Sequence, residues 1–269
     1  MRGRTTLQNA AGFAALRPSR CLLLSAAAAS LFAVLAMLAP FPDILNRPMA
    51  SRINSLVVWS TDFANFMYGL TDPAAEGILV AATVCFCWFS RRRTRLRSAL
   101  LMGVAAAALS GLVAQALEGA LVSSPKPLLD AVLDLKPPGA ISDIAGSRTD
   151  VTHSTGTFPS PRAAMFMGIA LAIWLVDRKI GAAAAAIAAS PEVARIAVGL
   201  HYPADIIGSF CLAGVFVFLA QLPAVTRRAG RVISWEQSDP ALFYAIAFVG
   251  LFEIATTFDE IRRLVSFLR

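Results

Sequence analysis

An arginine, a histidine and an aspartate lie in one short segment where two apolar stretches of the chain meet. Arg195 precedes His201 by six positions, and Asp205 follows it by four. A guanidinium binds phosphate oxygens through two parallel hydrogen bonds, and an imidazole oriented by a carboxylate attacks phosphorus. A lone buried histidine is more often a packing residue, but a permanent cation and a carboxylate beside it favour a site for phosphoryl transfer.

The turn around this histidine has its own sequence signals. Gly199 is suited to end the preceding helix, and Pro203 is suited to the first turn of the next one. We therefore expect His201 on the loop and Asp205 in the first turn of the following helix.

The composition indicates that the chain resides in a lipid bilayer. Of 269 residues, 57% are hydrophobic and 15% are charged, whereas soluble domains carry roughly 25% charged residues. The mean hydropathy is +0.65. These values exclude an ordinary soluble domain and predict an all-α polytopic membrane protein.

Six segments approach the roughly 20 apolar residues that cross a bilayer as a helix. The sequence therefore predicts a bundle of six transmembrane helices. A seventh apolar segment, 241–258, carries Glu253 and fits either a C-terminal span or an interfacial helix. The first segment is longer than the core of a signal peptide, so we expect it to stay as a helix. The six predicted spans are residues 21–41, 76–90, 98–122, 162–176, 180–200 and 205–222.

Basic residues collect at one end of the predicted spans. They cluster within residues 2–20, 91–97, 178–179 and 227–231. Because cytoplasmic loops are enriched in Arg and Lys, this end is predicted to face the cytoplasm. The net charge of +7 then reflects topology, and no nucleic-acid partner is expected.

These patterns predict three parts of the chain. Residues 1–20 form a basic cytoplasmic tail, and residues 21–222 form a six-helix membrane domain. Residues 223–269 form a C-terminal segment that spans the membrane or lies at its surface. Within the membrane domain, residues 42–73 place Trp59 and other aromatic residues among polar ones, which predicts a half-buried helix at the level of the lipid headgroups.

Three further candidate residues lie at the extracytoplasmic ends of the predicted spans. Lys126 follows the third span, and Ser160 and Arg162 open the fourth. Ser160 followed by Pro161 is a good N-cap and first-turn pair. A helix N-terminus also attracts phosphate, so the structural role and a binding role are compatible.

In their order and spacing, these residues resemble the three motifs of the type 2 phosphatidate phosphatase superfamily of integral membrane lipid phosphatases. The third motif has Arg195, His201 and Asp205 in register within Gly-Leu-His-Tyr-Pro-Ala-Asp, with Ala194 in place of its leading Ser. The second motif, Pro-Ser-Gly-His, reads Pro-Ser-Pro-Arg at 159–162. The resemblance covers roughly residues 76–222.

The first motif departs further from the family pattern. Lys126 takes the place of its Arg before the Pro, and Gly119 stands where the family has Lys, or Glu118 if one residue is inserted. This change and the loss of the second-motif histidine are the two main differences from the family.

The resemblance implies a role for each matching residue. His201 becomes the nucleophile that forms a phosphohistidine, and Asp205 orients it. Arg195, Lys126 and the Ser160 backbone bind the phosphate. The implied substrate is a lipid phosphate or diphosphate, for example a polyprenyl diphosphate, in the inner membrane with the site facing the extracytoplasmic side. No metal or other cofactor is implied.

Arg162 occupies the position of the family's general acid, and a guanidinium does not give up its proton. Losing a general acid costs on the order of 100-fold to 10,000-fold in rate. Arg162 is instead expected to bind the substrate and to stabilise a departing lipid phosphate by its charge. The sequence therefore predicts faster turnover of diphosphates, whose leaving group needs less protonation, unless His153 supplies the proton. The alternative is a family member without hydrolysis that binds a phosphorylated lipid or a partner membrane protein. The sequence leaves the oligomeric state open.

Overall fold

The computed structural model describes residues 17–39, 46–57, 60–90, 93–118, 120–121, 125–130, 132–133, 135 and 156–258. All regular elements in these ranges are helical, which confirms the all-α prediction. A short 3-10 turn covers Pro127–Leu129. The helices are α1 (Pro18–Leu38), α2 (Asn46–Val57), α3 (Thr61–Leu70), α4 (Pro73–Ser90), α5 (Thr94–Leu117), α6 (Pro161–Val176), α7 (Arg178–Ala197), α8 (Pro203–Ala220), α9 (Pro223–Ser238) and α10 (Pro240–Ala255).

Several of these helices are long and apolar enough to cross a bilayer. In the described part of the chain, α1, α5, α7 and α8 qualify alone, and α3 with α4 qualifies as a pair bent by 49°. α6 and α10 have 16 residues each, or about 24 Å at 1.5 Å per residue, against a hydrocarbon core of about 30 Å. The chain is a membrane helix bundle, and the count of six spans stays a prediction.

The segment expected to form one headgroup helix contains two helices, α2 and α3. Ser60 separates them and accepts a hydrogen bond from the Phe63 backbone N–H at 3.5 Å, which caps α3. Asn54 on α2 donates to the Ala197 carbonyl oxygen at 2.9 Å and so ties α2 to the end of α7. Trp59 lies outside the described residues.

α6 is the central helix of the bundle and packs against α5, α7 and α8. Gly168 lies where α5, α6 and α8 meet. A Cβ atom added there would come within 2.9 Å of the Ala107 Cβ and 3.1 Å of the Ala213 Cβ. Small residues allow such close approach, which maximises van der Waals contact between helices in a bilayer.

The C-terminal helices α9 and α10 pack on the bundle through a polar cluster. Arg97 on α5 contacts both carboxylate oxygens of Glu236 on α9 at 2.9 Å. The Arg97 guanidinium also lies 5.0 Å from the ring centre of Trp88 on α4. Tyr244 on α10 donates to Glu236 and accepts from Trp88. One cluster therefore joins four helices, and the segment after residue 222 is part of the packed bundle over its described length.

The basic ends of the helices lie together at one end of the bundle. Gln221, just after α8, donates to the Ala99 carbonyl near the start of α5 at 3.2 Å. Gly103 of α5 faces Ala172 in the last turns of α6. The starts of α5, α7 and α9, with their Arg and Lys residues, therefore share this end. Its cytoplasmic location stays a prediction.

We expect Gly168→Ala to lower stability because the new methyl group meets Ala107 and Ala213, two short side chains that cannot rotate away. The cost should be about 1–3 kcal/mol, the usual range for overpacking. Gly250→Ala on α10 is the matched control, since nothing lies within 4 Å of its added Cβ. Thermal unfolding of both variants in detergent measures the difference. Equal melting temperatures would contradict this packing.

Candidate functional site

The candidate residues of the third motif lie where α7 ends and α8 begins, as the sequence predicts. α7 ends at Ala197, and Gly199 follows with a positive φ of 79°. The Leu200 backbone N–H donates to the Arg195 carbonyl oxygen at 2.8 Å. A Cβ atom at Gly199 would lie 3.2 Å from the Leu128 backbone nitrogen, so both conformation and space require glycine. His201 lies on the resulting loop.

His201 and Asp205 are neighbours. The His201 Nδ1 lies 3.5 Å from the Asp205 Oδ2, and the side chains are 12% and 2% exposed. The same Oδ2 accepts a hydrogen bond from the Tyr202 backbone N–H at 2.7 Å. Nδ1 has no hydrogen-bond partner among the described residues. Asp205 therefore caps α8 and also faces Nδ1, so Nε2 is the ring nitrogen that does not face this carboxylate.

Arg195 faces a buried glutamate one turn earlier on α7. Its Nη1 lies 3.4 Å from the Glu192 Oε1, and the two side chains are 7% and 2% exposed. Glu76 on α4 is 2% exposed and interacts electrostatically with Glu192, Arg195 and Arg162. The structure thus brings Arg162 and Arg195, from separate motifs, to one pair of glutamates.

Sequence reasoning did not single out Glu76 or Glu192 as site residues. A signal for both was available, because ionisable residues inside apolar segments of membrane proteins are usually functional. The sequence does not show which residues such a carboxylate faces. α4 and α7 meet only through the packing of the bundle.

Ser160 is a structural residue at the start of α6. It is fully buried, and its Oγ accepts from the Ala163 backbone N–H at 3.5 Å. Its own backbone N–H donates to the Ser209 Oγ at 2.7 Å. The expectation that the Ser160 backbone binds phosphate therefore does not fit this conformation, because α8 already occupies the donor. Arg162, in the first turn of α6, donates to the Thr71 carbonyl oxygen at 3.3 Å.

Lys126 is buried and directly precedes the 3-10 turn. The Leu128 backbone N–H of that turn donates to the Gly199 carbonyl oxygen at 2.9 Å. This bond places the segment carrying Lys126 against the loop of His201. Gly119 and His153 lie outside the described residues, and Glu118 ends α5 as its C-cap.

Asp130 also anchors the His201 loop, through residues far from it in the sequence. The Arg47 Nε and Nη2 donate to its two oxygens at 2.8 and 3.2 Å. The Tyr202 hydroxyl donates to Oδ2 at 2.8 Å, and the Val132 backbone N–H donates to Oδ1 at 3.1 Å. Three separate parts of the chain meet at this carboxylate, next to His201.

The pKa values of this network follow from these contacts. Burial pushes the pKa of Asp130 upward, but the hydrogen bonds from Arg47, Tyr202 and Val132 outweigh it and hold the pKa below its usual value. Burial, together with the Asp130 carboxylate, raises the pKa of Tyr202 above its usual range. Tyr202 is therefore a neutral hydrogen-bond donor and Asp130 a charged acceptor at neutral pH.

Together, the elements form a partly exposed imidazole beside a buried carboxylate, with two guanidiniums and two further glutamates nearby. Such a set can bind an anionic group, accept a phosphoryl group on the imidazole nitrogen, and move a proton through a carboxyl group. Among the described residues, no group of three metal-ligating side chains forms a candidate metal site.

No protein-family model and no curated protein matches the chain. The chain is similar to the first transmembrane PAP2 type phosphatidylglycerolphosphate phosphatase, from Bacillus subtilis, solved by crystallography. The two are 19% identical with a TM-score of 0.47, over 76% of this chain and 93% of that one. A likeness of this extent identifies neither the family nor the substrate of this chain.

Asp130→Asn tests the network through the pH dependence of stability. Since the folded pKa of Asp130 is lowered, its stabilising effect is complete above the ordinary pKa of aspartate and disappears as the pH falls through the folded value. We expect the variant to be less stable than the wild type by about 1–3 kcal/mol at neutral pH. This difference should shrink toward about pH 3. Melting temperatures measured between these pH values give the result.

Asp62→Asn is the matched control, because the Asp62 carboxylate is exposed on α3. It should change stability little at either pH. A difference for Asp130→Asn that stays constant with pH would contradict a lowered pKa.

Proposed function

We propose that this chain is a membrane phosphatase or phosphotransferase that acts on a lipid phosphate or diphosphate through a phosphohistidine at His201. The observation that carries the proposal is the position of His201: it is partly exposed, its Nδ1 lies 3.5 Å from buried Asp205, and its loop follows the last turn of α7, which carries Arg195. The site opens at the extracytoplasmic face in this proposal.

The proposed reaction has two steps. The His201 Nε2 attacks phosphorus, and the bond from phosphorus to the oxygen of the lipid breaks with its electron pair going to that oxygen. Asp205 stabilises the positive charge that develops on the imidazole. Water or an acceptor hydroxyl then attacks the phosphohistidine, which frees His201. The Arg195 and Arg162 guanidiniums stabilise the negative charge on the phosphoryl oxygens during both steps.

The substrate class follows from the position of the site in the bundle. Arg195 lies in the last turn of α7 and Asp205 in the first turn of α8, so the site is at the ends of apolar helices. A lipid in the adjacent leaflet brings its headgroup to this level while its chains remain in the bilayer. A phosphate attached to a lipid is therefore the proposed substrate.

A binding protein without hydrolysis is the second candidate, and two contacts favour it. Glu192 neutralises Arg195, which weakens its attraction for phosphate. The Asp205 oxygen nearest His201 also accepts the Tyr202 N–H and is therefore shared. In this candidate the same site holds a phosphorylated lipid, or the bundle holds a partner membrane protein, without turnover.

The two histidines of the chain provide a matched pair of variants. His201→Ala should lower phosphate release from lipid monophosphates and diphosphates by about a thousandfold or more, the usual effect of losing a nucleophile. His153→Ala should still form a phosphoenzyme. The measurement uses purified protein and substrates labelled with ³²P, with detection of acid-labile, base-stable label on the chain. Binding of these lipids by wild-type protein without phosphate release or labelling would favour the binding candidate.

The orientation is tested by single cysteines at opposite ends of the bundle. Leu121 lies just after α5 and Arg227 lies on α9, and both are exposed. We expect Leu121→Cys to react with a membrane-impermeant maleimide on intact cells, and Arg227→Cys to react only after permeabilisation. The reverse labelling pattern would contradict an extracytoplasmic site.

A further inference from the structure

Two buried glutamates of the site take no part in the mechanism above. Glu76 on α4 and Glu192 on α7 are 2% and 1% exposed. Within the described part of the chain, neither oxygen of Glu76 has a hydrogen-bond partner, and neither does the Glu192 Oε2. A charged carboxylate is costly to bury without hydrogen bonds. Neighbouring groups must therefore offset the cost of burying these two glutamates.

The pair lies among the cations proposed to bind phosphate. Glu76 interacts electrostatically with Glu192, Arg195 and Arg162. Two carboxylates close together repel each other when both are charged, so such a pair readily holds one proton. When a phosphate binds to the two guanidiniums, it competes with the carboxylates for their positive charge. A proton on one carboxyl group removes this competition and is itself available to the substrate.

Glu76 is the better placed of the two to hold that proton. The Glu192 Oε1 already faces the Arg195 Nη1 at 3.4 Å and is engaged by that contact. Both oxygens of Glu76 are unused. Arg162, which interacts electrostatically with Glu76, cannot supply a proton itself.

We propose that Glu76 is the general acid of the reaction, an inference that rests on the proposed function. As the His201 Nε2 bonds to phosphorus and the phosphorus–oxygen bond to the lipid breaks, the carboxyl proton of Glu76 moves to the leaving oxygen, which departs as an alcohol. In the second step the Glu76 carboxylate takes a proton from the water that attacks the phosphohistidine. Phosphate leaves, and both His201 and the protonated Glu76 are restored.

This role changes the expected substrate preference. Arg162 alone predicts an enzyme that favours diphosphates, since a lipid phosphate leaves without help from an acid. With Glu76 as the acid, the wild type also cleaves monophosphates, whose leaving group is a strongly basic alkoxide. A variant that lacks the carboxyl proton of Glu76 is then expected to prefer diphosphates strongly over monophosphates.

Glu76→Gln tests this with two substrates of the same long-chain alcohol, its monophosphate and its diphosphate. In single-turnover measurements, phosphohistidine formation from the monophosphate should slow by about 100-fold or more, whereas its formation from the diphosphate should change by less than about threefold. Glu76→Asp keeps an ionisable proton and should recover part of the monophosphate turnover. Phosphohistidine formation from the diphosphate checks that each variant still folds into a working site.

Glu236→Gln is the matched control, because it removes a buried carboxylate from the Arg97 cluster at the other end of the bundle. It should lower the melting temperature but leave the ratio of the two rates of phosphohistidine formation as in the wild type. Equal losses on both substrates in Glu76→Gln, or no loss on either, would overturn the role of Glu76 while the proposed function stands. Wild-type protein inactive on both substrates would overturn the proposed function and this inference with it.

Discussion

The balance of buried charge at the end of the bundle where α4 and α6 begin and α7 ends is the constraint on which the site depends. Arg162 and Arg195 are brought into an apolar bundle, where an isolated guanidinium is costly. Glu76 and Glu192 offset part of that cost through their opposite charge. The same carboxylates compete with any phosphate for the guanidiniums. A site of this kind binds an anion well only when one of the carboxylates is protonated. Phosphate binding and protonation are therefore linked.

The histidine loop is held from outside this charged group. Asp130 joins Arg47 from α2 and Tyr202 from the start of α8, and the 3-10 turn joins Gly199. The Asn46 side chain also accepts the Ala204 backbone N–H at 3.2 Å. These contacts come from segments that lie outside the apolar spans. The extramembrane segments therefore position the residue proposed to react, while the helices supply the cations.

Small residues make the close helix packing possible. Gly168 at the centre and Gly77 against Ala255 leave no room for a side chain, so α6 and α10 pack close to their neighbours. The Arg97 and Glu236 cluster fastens α9 and α10 at the opposite end. The C-terminal segment, which the sequence could assign either to a span or to the membrane surface, is packed against α4 and α5 over its described residues, with Glu253 buried.

The sequence by itself determined the helical class, the membrane environment and the local geometry of the histidine turn. These properties follow from short-range information: apolar runs of sufficient length, a glycine at a positive φ, and a proline in the first turn of a helix. His201, Arg195 and Asp205 could be chosen because they lie within one such turn. The Ser160 cap could also be predicted, since its Oγ bonds three residues along the chain.

Only the tertiary structure decided which charges face each other. Glu76 interacts electrostatically with Arg195 and Arg162. Asp130 bonds to Arg47, which is 83 residues away along the chain, and to Tyr202, which is 72 residues away. The engagement of the Ser160 N–H by Ser209 is likewise a contact between helices. No local pattern encodes these pairings, because electrostatic and hydrogen-bond partners of buried groups are set by how whole helices pack. Packing in turn depends on the summed contacts of many small side chains rather than on any short stretch of sequence.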